Sequence, residues 1–415
     1  MRNVALCLML MLSVYSYAAL ETKTMMVDGY ERTYLIYTPS SYNDTTDYPV
    51  LMLLHPIGFS ATDFAEVSSP QTISDFNNAI IVLPEALDEQ NEEIIKIFSM
   101  LSDYNKLPNG FNINKVWSSG ARIQFSTIEQ MAGNAAMLLS FLMPKAKAAG
   151  YAQLNEKIDD VKFLNEVIND LQTTYHANTD IFVAGVSLGG SMTYKYAFSP
   201  NSKAKKIGVV HGFVSSATDT TQQINIPLCV FHSQADKVVE YNGGLLTGPV
   251  ADDVHSFAMK IGCDSTYSEE AMPNIKDDGI SVTYREYKSD DSTQFVWFYI
   301  ADSAAHQEIL NANDNDIDYV TILEEFFFFT PTIRDMDDVK ETPNTHWLVY
   351  PNPTQDYLYC TMKGEYEITD MTGRVQISGE IPEDGCINLT SIPSQTYIFV
   401  LKNGHIVKKE RIVKK

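Results

Sequence analysis

The stretch DIFVAGVSLGGSM, Asp180–Met192, runs an apolar segment into a serine flanked by Gly185 and Gly189. The segment Asp180–Ser187 reads as a buried strand, and SMTYKYAF, Ser191–Phe198, reads as a helix. A serine at a sharp strand-to-helix turn sits in strained backbone, with its hydroxyl aimed out over the strand ends. Side chains at the flanking positions would clash in such a turn, which accounts for the two glycines. The N–H of Leu188, at the helix N-terminus, would point at any oxyanion formed there. The alternative is a plain turn between a strand and a helix. The rest of the chain decides between the two.

A serine hydroxyl is a poor nucleophile unless a histidine takes its proton and an acid holds that histidine's tautomer. On this kind of sheet the partners follow in the order serine, acid, histidine. After Ser187, IPLCVFHSQADKVVEY (Ile226–Tyr241) is a buried strand that breaks into a polar loop at Asp236. Four histidines follow. His346 and His405 fall just past the linker and in the C-terminal part, and His255 lies in a helix-like segment. His306 sits in ADSAAHQEIL, a loop after the apolar strand Gln294–Ala301. The sequence therefore predicts Ser187 as nucleophile, His306 as base and Asp236 as acid. The second oxyanion donor should come from the loop after the third strand, LLHPIGFSATDF (Leu53–Phe64), and Ile57 is the donor expected there. His55 is expected to shape that loop. Nothing in this chemistry calls for a metal or a cofactor.

Outward from this centre, short β-rich runs alternate with helical stretches. They include Arg32–Pro39, Tyr48–His55, Ala79–Ala86, Ile207–Ser215, Ile226–His232, Ser281–Tyr287 and Gln294–Ala301. Several are continuously apolar, as strands buried on both faces should be. The pattern predicts an α/β fold, a mostly parallel sheet flanked by helices. DDVKFLNEVINDLQTTY (Asp159–Tyr175) reads as an amphipathic helix with Asp159 and Asp160 at its N-cap. YVTILEEFFFF (Tyr319–Phe329) closes this main domain, its phenylalanines serving as core. Ser118–Glu156 is an insertion whose uncharged stretch Met131–Pro144 is either a buried helix or a lid over the site.

The ends carry different signals. Arg2, the apolar run Val4–Val14 and Ser16–Ala18 have the form of an export signal over residues 1–18, too short in its apolar part to anchor in a bilayer. The main domain is then 19–329. Residues 330–345 are acidic, proline-bearing and without periodicity, a linker. Residues 346–415 hold short strands separated by turn residues, a small all-β sandwich. The net charge of −23 lies before residue 344, because Asn344–Lys415 carries eight basic and eight acidic residues. So acidic a body argues against nucleic acid and anionic membranes as partners. Beyond Cys7 there are Cys229, Cys263, Cys360 and Cys386, none in a zinc-type pair. Pairing within each region, 229 with 263 and 360 with 386, and four free thiols are both open readings.

With these pieces in place, the main domain resembles the polyhydroxybutyrate depolymerase and feruloyl esterase group of secreted α/β-hydrolases. The resemblance runs from about Thr22 to Phe329. It rests on RTYLIYTPSSY, PVLMLLHPIGFSATDF, DDVKFLNEVINDL, GVSLGGSMTYKYA and PLCVFHSQADKVVEYNGG, in family order. It implies Ser187 as nucleophile, Asp236 as acid and His306 as base. The chain departs from the family in His55–Pro56, where His-Gly is usual, and in Gln307–Glu308 after the histidine, where a tryptophan-proline pair is common. The insertion is also longer than the family's. The C-terminal residues YPNPTQDYLYC, YEITDMTGRV, INLTSIPSQTYIFVL and the basic end KKERIVKK resemble the sorting domain of the type IX secretion system, which carries a folded passenger across the outer membrane. The other reading of that domain is a carbohydrate-binding sandwich.

Together these readings describe a serine esterase exported from the cell, secreted or held at its surface. Its expected substrates are feruloyl or acetyl esters on plant polysaccharide, or small esters. Short-chain polyesters are a further expectation. A catalytically inactive binding module on the same fold is the contrasting class, with Pro56 as its support. Oligomeric state is not legible.

Overall fold

The computed structural model describes residues 20–103, 114–132, 143–244, 248–274, 276, 278–306, 308–311, 314–329, 349–350, 354–360, 362–370, 374–403 and 406–414. The export-signal residues 1–18, the linker 330–345 and most of the uncharged stretch in the insertion lie outside them. The strands of the main part are β1 Leu20–Val27, β2 Tyr30–Tyr37, β3 Tyr48–Leu54, β4 Ile80–Pro84, β5 Arg122–Gln124, β6 Tyr151–Gln153, β7 Ala177–Val186, β8 Ala204–Val210, β9 Leu228–Ser233, β10 Ser268–Ala271, β11 Val282–Lys288 and β12 Phe295–Ala301. The helices are α1 Ala61–Ser68, α2 Pro70–Asn77, α3 Glu92–Asp103, α4 Phe125–Ala132, α5 Pro144–Ala149, α6 Asp160–Thr174, α7 Leu188–Ala197, α8 Val250–Lys260 and α9 Tyr319–Glu324.

Ten strands pair in the order β1-β2-β4-β3-β7-β8-β9-β12-β11-β10. From β4 to β12 neighbouring strands run parallel, and the antiparallel strands are confined to the two edges. The alternation of side chains explains the apolar runs. In β3, Val50, Met52 and Leu54 enter one core cluster while Leu51 and Leu53 enter another across the sheet. This is the α/β-hydrolase arrangement, with Ser187 following the central strand β7. The edge strands β1 and β10 have no counterpart in the sequence reading. Their residues are largely exposed, so no apolar alternation marks them.

Helix α6 begins as its sequence predicts at one residue and differs at the other. Asp159 caps it, accepting from the Lys162 N–H at 3.0 Å. Asp160 instead turns inward to Arg32. The base of the insertion is docked in the main core, with Phe125, Met143, Ala146, Ala152 and Leu154 all buried in one cluster. Phe326 and Phe327 are buried against the opposite face of the sheet, and Phe328 packs beside them partly exposed.

The later strands are β13 Val349–Tyr350, β14 Tyr357–Cys360, β15 Glu365–Asp370, β16 Val375–Glu380, β17 Cys386–Asn388, β18 Thr396–Asn403 and β19 Ile406–Val413. They form a three-stranded sheet, β13-β14-β17, and a four-stranded sheet, β16-β15-β18-β19. Leu358 and Ile387 of the first share a buried cluster with Ile368, Phe399 and Ile412 of the second.

All four described cysteines are free thiols. The sheet pattern separates each pair that the sequence left open. Cys229 is buried in one main cluster and Cys263 in the other. In the small sheet Cys386 lies opposite Tyr359, one residue out of step with Cys360. Since side chains alternate between faces, Cys360 and Cys386 leave opposite sides of the ribbon.

Candidate active site

Ser187 follows the last residue of β7 and precedes the first residue of α7. Its backbone is left-handed, φ +55 and ψ −119, which a non-glycine residue adopts only when the surroundings force it. The surroundings here are close backbone approaches. A Cβ on Gly185 would stand 2.3 Å from the Gly189 carbonyl oxygen, and a Cβ on Gly189 would stand 2.2 Å from the Leu54 carbonyl oxygen. Both glycines are therefore required by packing, as the turn reading expects. The same contact brings the start of α7 against the loop that follows β3. The helix begins at Leu188, three residues earlier than its sequence reads, because Gly189 and Gly190 in its first turn are poor helix formers that the packing nevertheless accepts.

His306 reaches this serine from the loop after β12. Its Nε2 lies 2.9 Å from Ser187 Oγ, and its Nδ1 lies 2.7 Å from Asp236 Oδ2. Asp236 follows β9, and its other oxygen accepts the N–H groups of Val238 and Val239, each at 2.8 Å. Burial would raise the Asp236 carboxyl, but the imidazoles of His211 and His306 and the Val239 N–H outweigh it and hold the group well below the usual carboxylate range. Asp236 is thus an ionised acceptor, which assigns the Nδ1 proton of His306 and leaves Nε2 free to accept from the serine. Ser187 is 9% exposed, while the His306 side chain is 13% exposed, so this pair is the part of the chain of hydrogen bonds that solvent reaches.

Leu188 is the first residue of α7, so its N–H has no acceptor inside the helix. Ile57 sits in a tight turn, Pro56–Phe59, closed by Phe59 N–H to the Pro56 carbonyl at 3.3 Å with Gly58 at φ +83. That turn does not use the Ile57 N–H. Proline at 56 also fits the turn, since the role of residue 56 is to accept: its carbonyl takes Phe59 N–H and His55 Nδ1–H, the latter at 2.8 Å. His55 is fully buried and its Nε2 accepts the Ala86 N–H at 3.0 Å. Burial pushes it down to about 4, so it stays neutral. It holds the loop, with its carbonyl fixed by Trp117 Nε1 at 2.9 Å. His255 lies on α8 with its ring 5.8 Å from that of Tyr287.

The sequence reading missed two histidines that crowd Asp236. His211 Nδ1 is 3.3 Å and His232 Nε2 is 3.7 Å from Asp236 Oδ2. His232 donates from Nε2 to the Val239 carbonyl at 2.8 Å, and burial pushes it down to about 4. Each lies at the carboxyl end of a strand in the central sheet, the position at which functional groups collect in such sheets. That was the signal available.

No protein-family profile matches the chain. Among curated proteins it is similar to the probable feruloyl esterase C of Aspergillus clavatus, 28% identical over 170 residues, which is 40% of this chain and 57% of that protein. It is also similar to the probable feruloyl esterase C of Aspergillus oryzae, 25% identical over 159 residues, 38% of this chain and 54% of that protein. The chain spans about half the length of the curated relatives it matches. Among solved structures, an acetyl xylan esterase from Aspergillus awamori aligns with a TM-score of 0.43 at 13% identity, over 71% of this chain and 96% of that one. A ferulic acid esterase from Anaeromyces mucronatus aligns with a TM-score of 0.41 at 12% identity, over 75% and 94%. Among the described residues no helix is long and apolar enough to cross a membrane.

Proposed function

We propose that this chain is a serine esterase that hydrolyses carboxylic esters through an acyl-enzyme. The observation that carries the reading is the chain of hydrogen bonds Ser187–His306–Asp236, at 2.9 and 2.7 Å, built on a strained strand-to-helix turn. In the proposed reaction Ser187 Oγ attacks the ester carbonyl carbon while His306 Nε2 takes its proton. The N–H groups of Leu188 and Ile57 receive the oxyanion. Collapse expels the alcohol, which takes the proton back from His306. Water repeats the sequence on the acyl-enzyme and frees the acid. Asp236 keeps the imidazole in the required tautomer and stabilises the imidazolium.

The acyl groups proposed are hydroxycinnamoyl and acetyl, esterified to plant polysaccharide. The support is the chain's similarity to the Aspergillus feruloyl esterases and the motifs of the main domain. Residues 1–18 and 346–415 are proposed as an export signal and a type IX sorting domain, which would place the enzyme outside the cell or on its surface. The test is a panel of p-nitrophenyl acetate, methyl ferulate, acetylated xylan and hydroxybutyrate oligomers offered to the purified chain. Release of ferulate or acetate that Ser187→Ala abolishes is the expected result. Turnover of none of the four would mean an inactive binding module, and turnover of the oligomers alone would mean a polyester hydrolase.

A further inference from the structure

Asp236 is the hub of a buried histidine cluster that ester hydrolysis uses only in part. His211, directly after β8, is held at φ +52 and is wholly buried. Its Nδ1 has Asp236 Oδ2 at 3.3 Å as its one polar neighbour, a long and poorly aligned contact, and its Nε2 has no partner among the described residues. His232 has given Nε2 to the Val239 carbonyl, and its Nδ1 is also without a partner. Tyr319, its ring 6.3 Å from that of His211, buries an unpaired hydroxyl as well. Polar atoms this deep are nearly always paired. Two such histidines within 4 Å of one ionised carboxylate mark a place that can take a charged guest. One ligand atom each from His211, Asp236 and His306 lies within 4.8 Å of the others. Two imidazoles and a carboxylate form a donor set that suits zinc.

We propose that His211, Asp236 and His306 form an inhibitory site for a zinc-class divalent cation. The inhibition rests on the catalytic roles proposed above, but the binding does not. Its chemistry follows from the tautomers. In the catalytic arrangement His306 carries a proton on Nδ1, facing Asp236, and accepts from Ser187 at Nε2. A cation taking Nδ1 as ligand moves that proton to Nε2, which faces Ser187 Oγ. No proton is lost and only coordination bonds form. Nε2 is then a donor and cannot take the serine's proton, so the nucleophile is never activated. Magnesium, which demands oxygen ligands in octahedral array, is a poor match.

The test titrates metal-stripped chain with zinc and with magnesium during ester hydrolysis. It is repeated on His211→Phe and His211→Ala, each variant scored against its own metal-free rate. Cobalt(II) absorption reports coordination independently of activity. Zinc should inhibit at micromolar concentration, reversibly by chelator, while magnesium at millimolar concentration should not. The His211 variants should need at least about tenfold more zinc, and they should lose the intense visible bands of four-coordinate cobalt. Equal zinc sensitivity in wild type and His211 variants overturns the site, as does no inhibition at millimolar zinc. A chain that hydrolyses no ester yet shows cobalt bands lost on His211→Phe would retain the site and reject its inhibitory role. Should neither His211 variant fold, the cobalt bands of His306→Ala decide: their persistence overturns the proposal.

Discussion

Arg32 and Asp160 form an ion pair sealed from solvent, Nη2 to Oδ1 at 2.7 Å, with side chains 2% and 0% exposed. It ties β2, the neighbour of the edge strand β1, to the start of α6. The other carboxylate oxygen of Asp160 accepts the Ser118 N–H at 2.7 Å, and the Arg32 guanidinium lies 3.8 Å over the Phe163 ring. Taking two charges out of water is costly, so such a pair adds little net stability while its loss by halves costs a great deal. Asp160→Ala should therefore destabilise by about 3–5 kcal/mol, since it strands a buried guanidinium. Urea denaturation of Asp160→Ala and of the double variant Arg32→Met, Asp160→Ala checks this. The double variant should be the more stable of the two, and equal losses would show that the charge is not what matters.

The hydrogen-bonded chain from Ser187 to Asp236 sets the order of effects on turnover. Ser187→Ala and His306→Ala should each lower kcat on the order of 10⁶-fold, because members of such a unit fail together. Asp236→Asn should cost about 10⁴-fold by presenting the wrong tautomer of His306. His255→Ala, beside Tyr287, should leave kcat within about twofold, as expected of a residue outside that unit. Steady-state hydrolysis of p-nitrophenyl acetate by the four variants checks this. Activity surviving His306→Ala would remove that residue from the role of base.

The two buried neutral histidines predict how stability depends on pH. His55 and His232 are each pushed down to about 4, with burial as the main cause. In the unfolded chain a histidine titrates near 6.5. As pH falls below about 6.5 the unfolded chain takes up protons that the native state refuses, so stability is lost from there down to about 4. Each group withdraws about 1.36 kcal/mol per pH unit across that window. Asp236, depressed in the native state, works lower: its contribution is intact above about 3.9 and fades only in stronger acid. Urea midpoints across the window should fall with pH, and His55→Gln should flatten the slope. An unchanged slope in that variant would show that His55 does not carry it.

Much of the fold was legible because its signal is chemical alternation along the chain. The central strands are continuously apolar, and Ser187, Asp236 and His306 each stand just past one of them. The edge strands β1 and β10 were not legible, since an exposed edge carries no such run. Asp160 looks like a cap in sequence and becomes a buried ion pair only because Arg32, 128 residues away, arrives opposite it. His211 and His232 escaped notice for a related reason. Each looks like part of a strand until the parallel register of β8 and β9 places their ends side by side at Asp236.

The buried cluster of Leu358, Ile368, Ile387, Phe399 and Ile412 draws its residues from positions 358–412 alone. The two clusters around the large sheet draw theirs from positions 27–327. Lys414 is tied within the small unit as well, its Nζ donating to the Leu389 and Ile392 carbonyls at 2.9 and 2.7 Å. Units that share no buried cluster should unfold separately. A chain ending at Phe329 should therefore stay soluble and keep the full-length kcat and KM on p-nitrophenyl acetate within about twofold, as expected when distant parts act independently. Calorimetry of the full chain should show two transitions, and the truncated chain should keep only one of them at an unchanged temperature. In the native host the same truncation should leave active enzyme in the periplasm if residues 346–415 direct export. A truncated chain that is insoluble, or that melts earlier than either transition of the whole, would show that the two units depend on each other for stability.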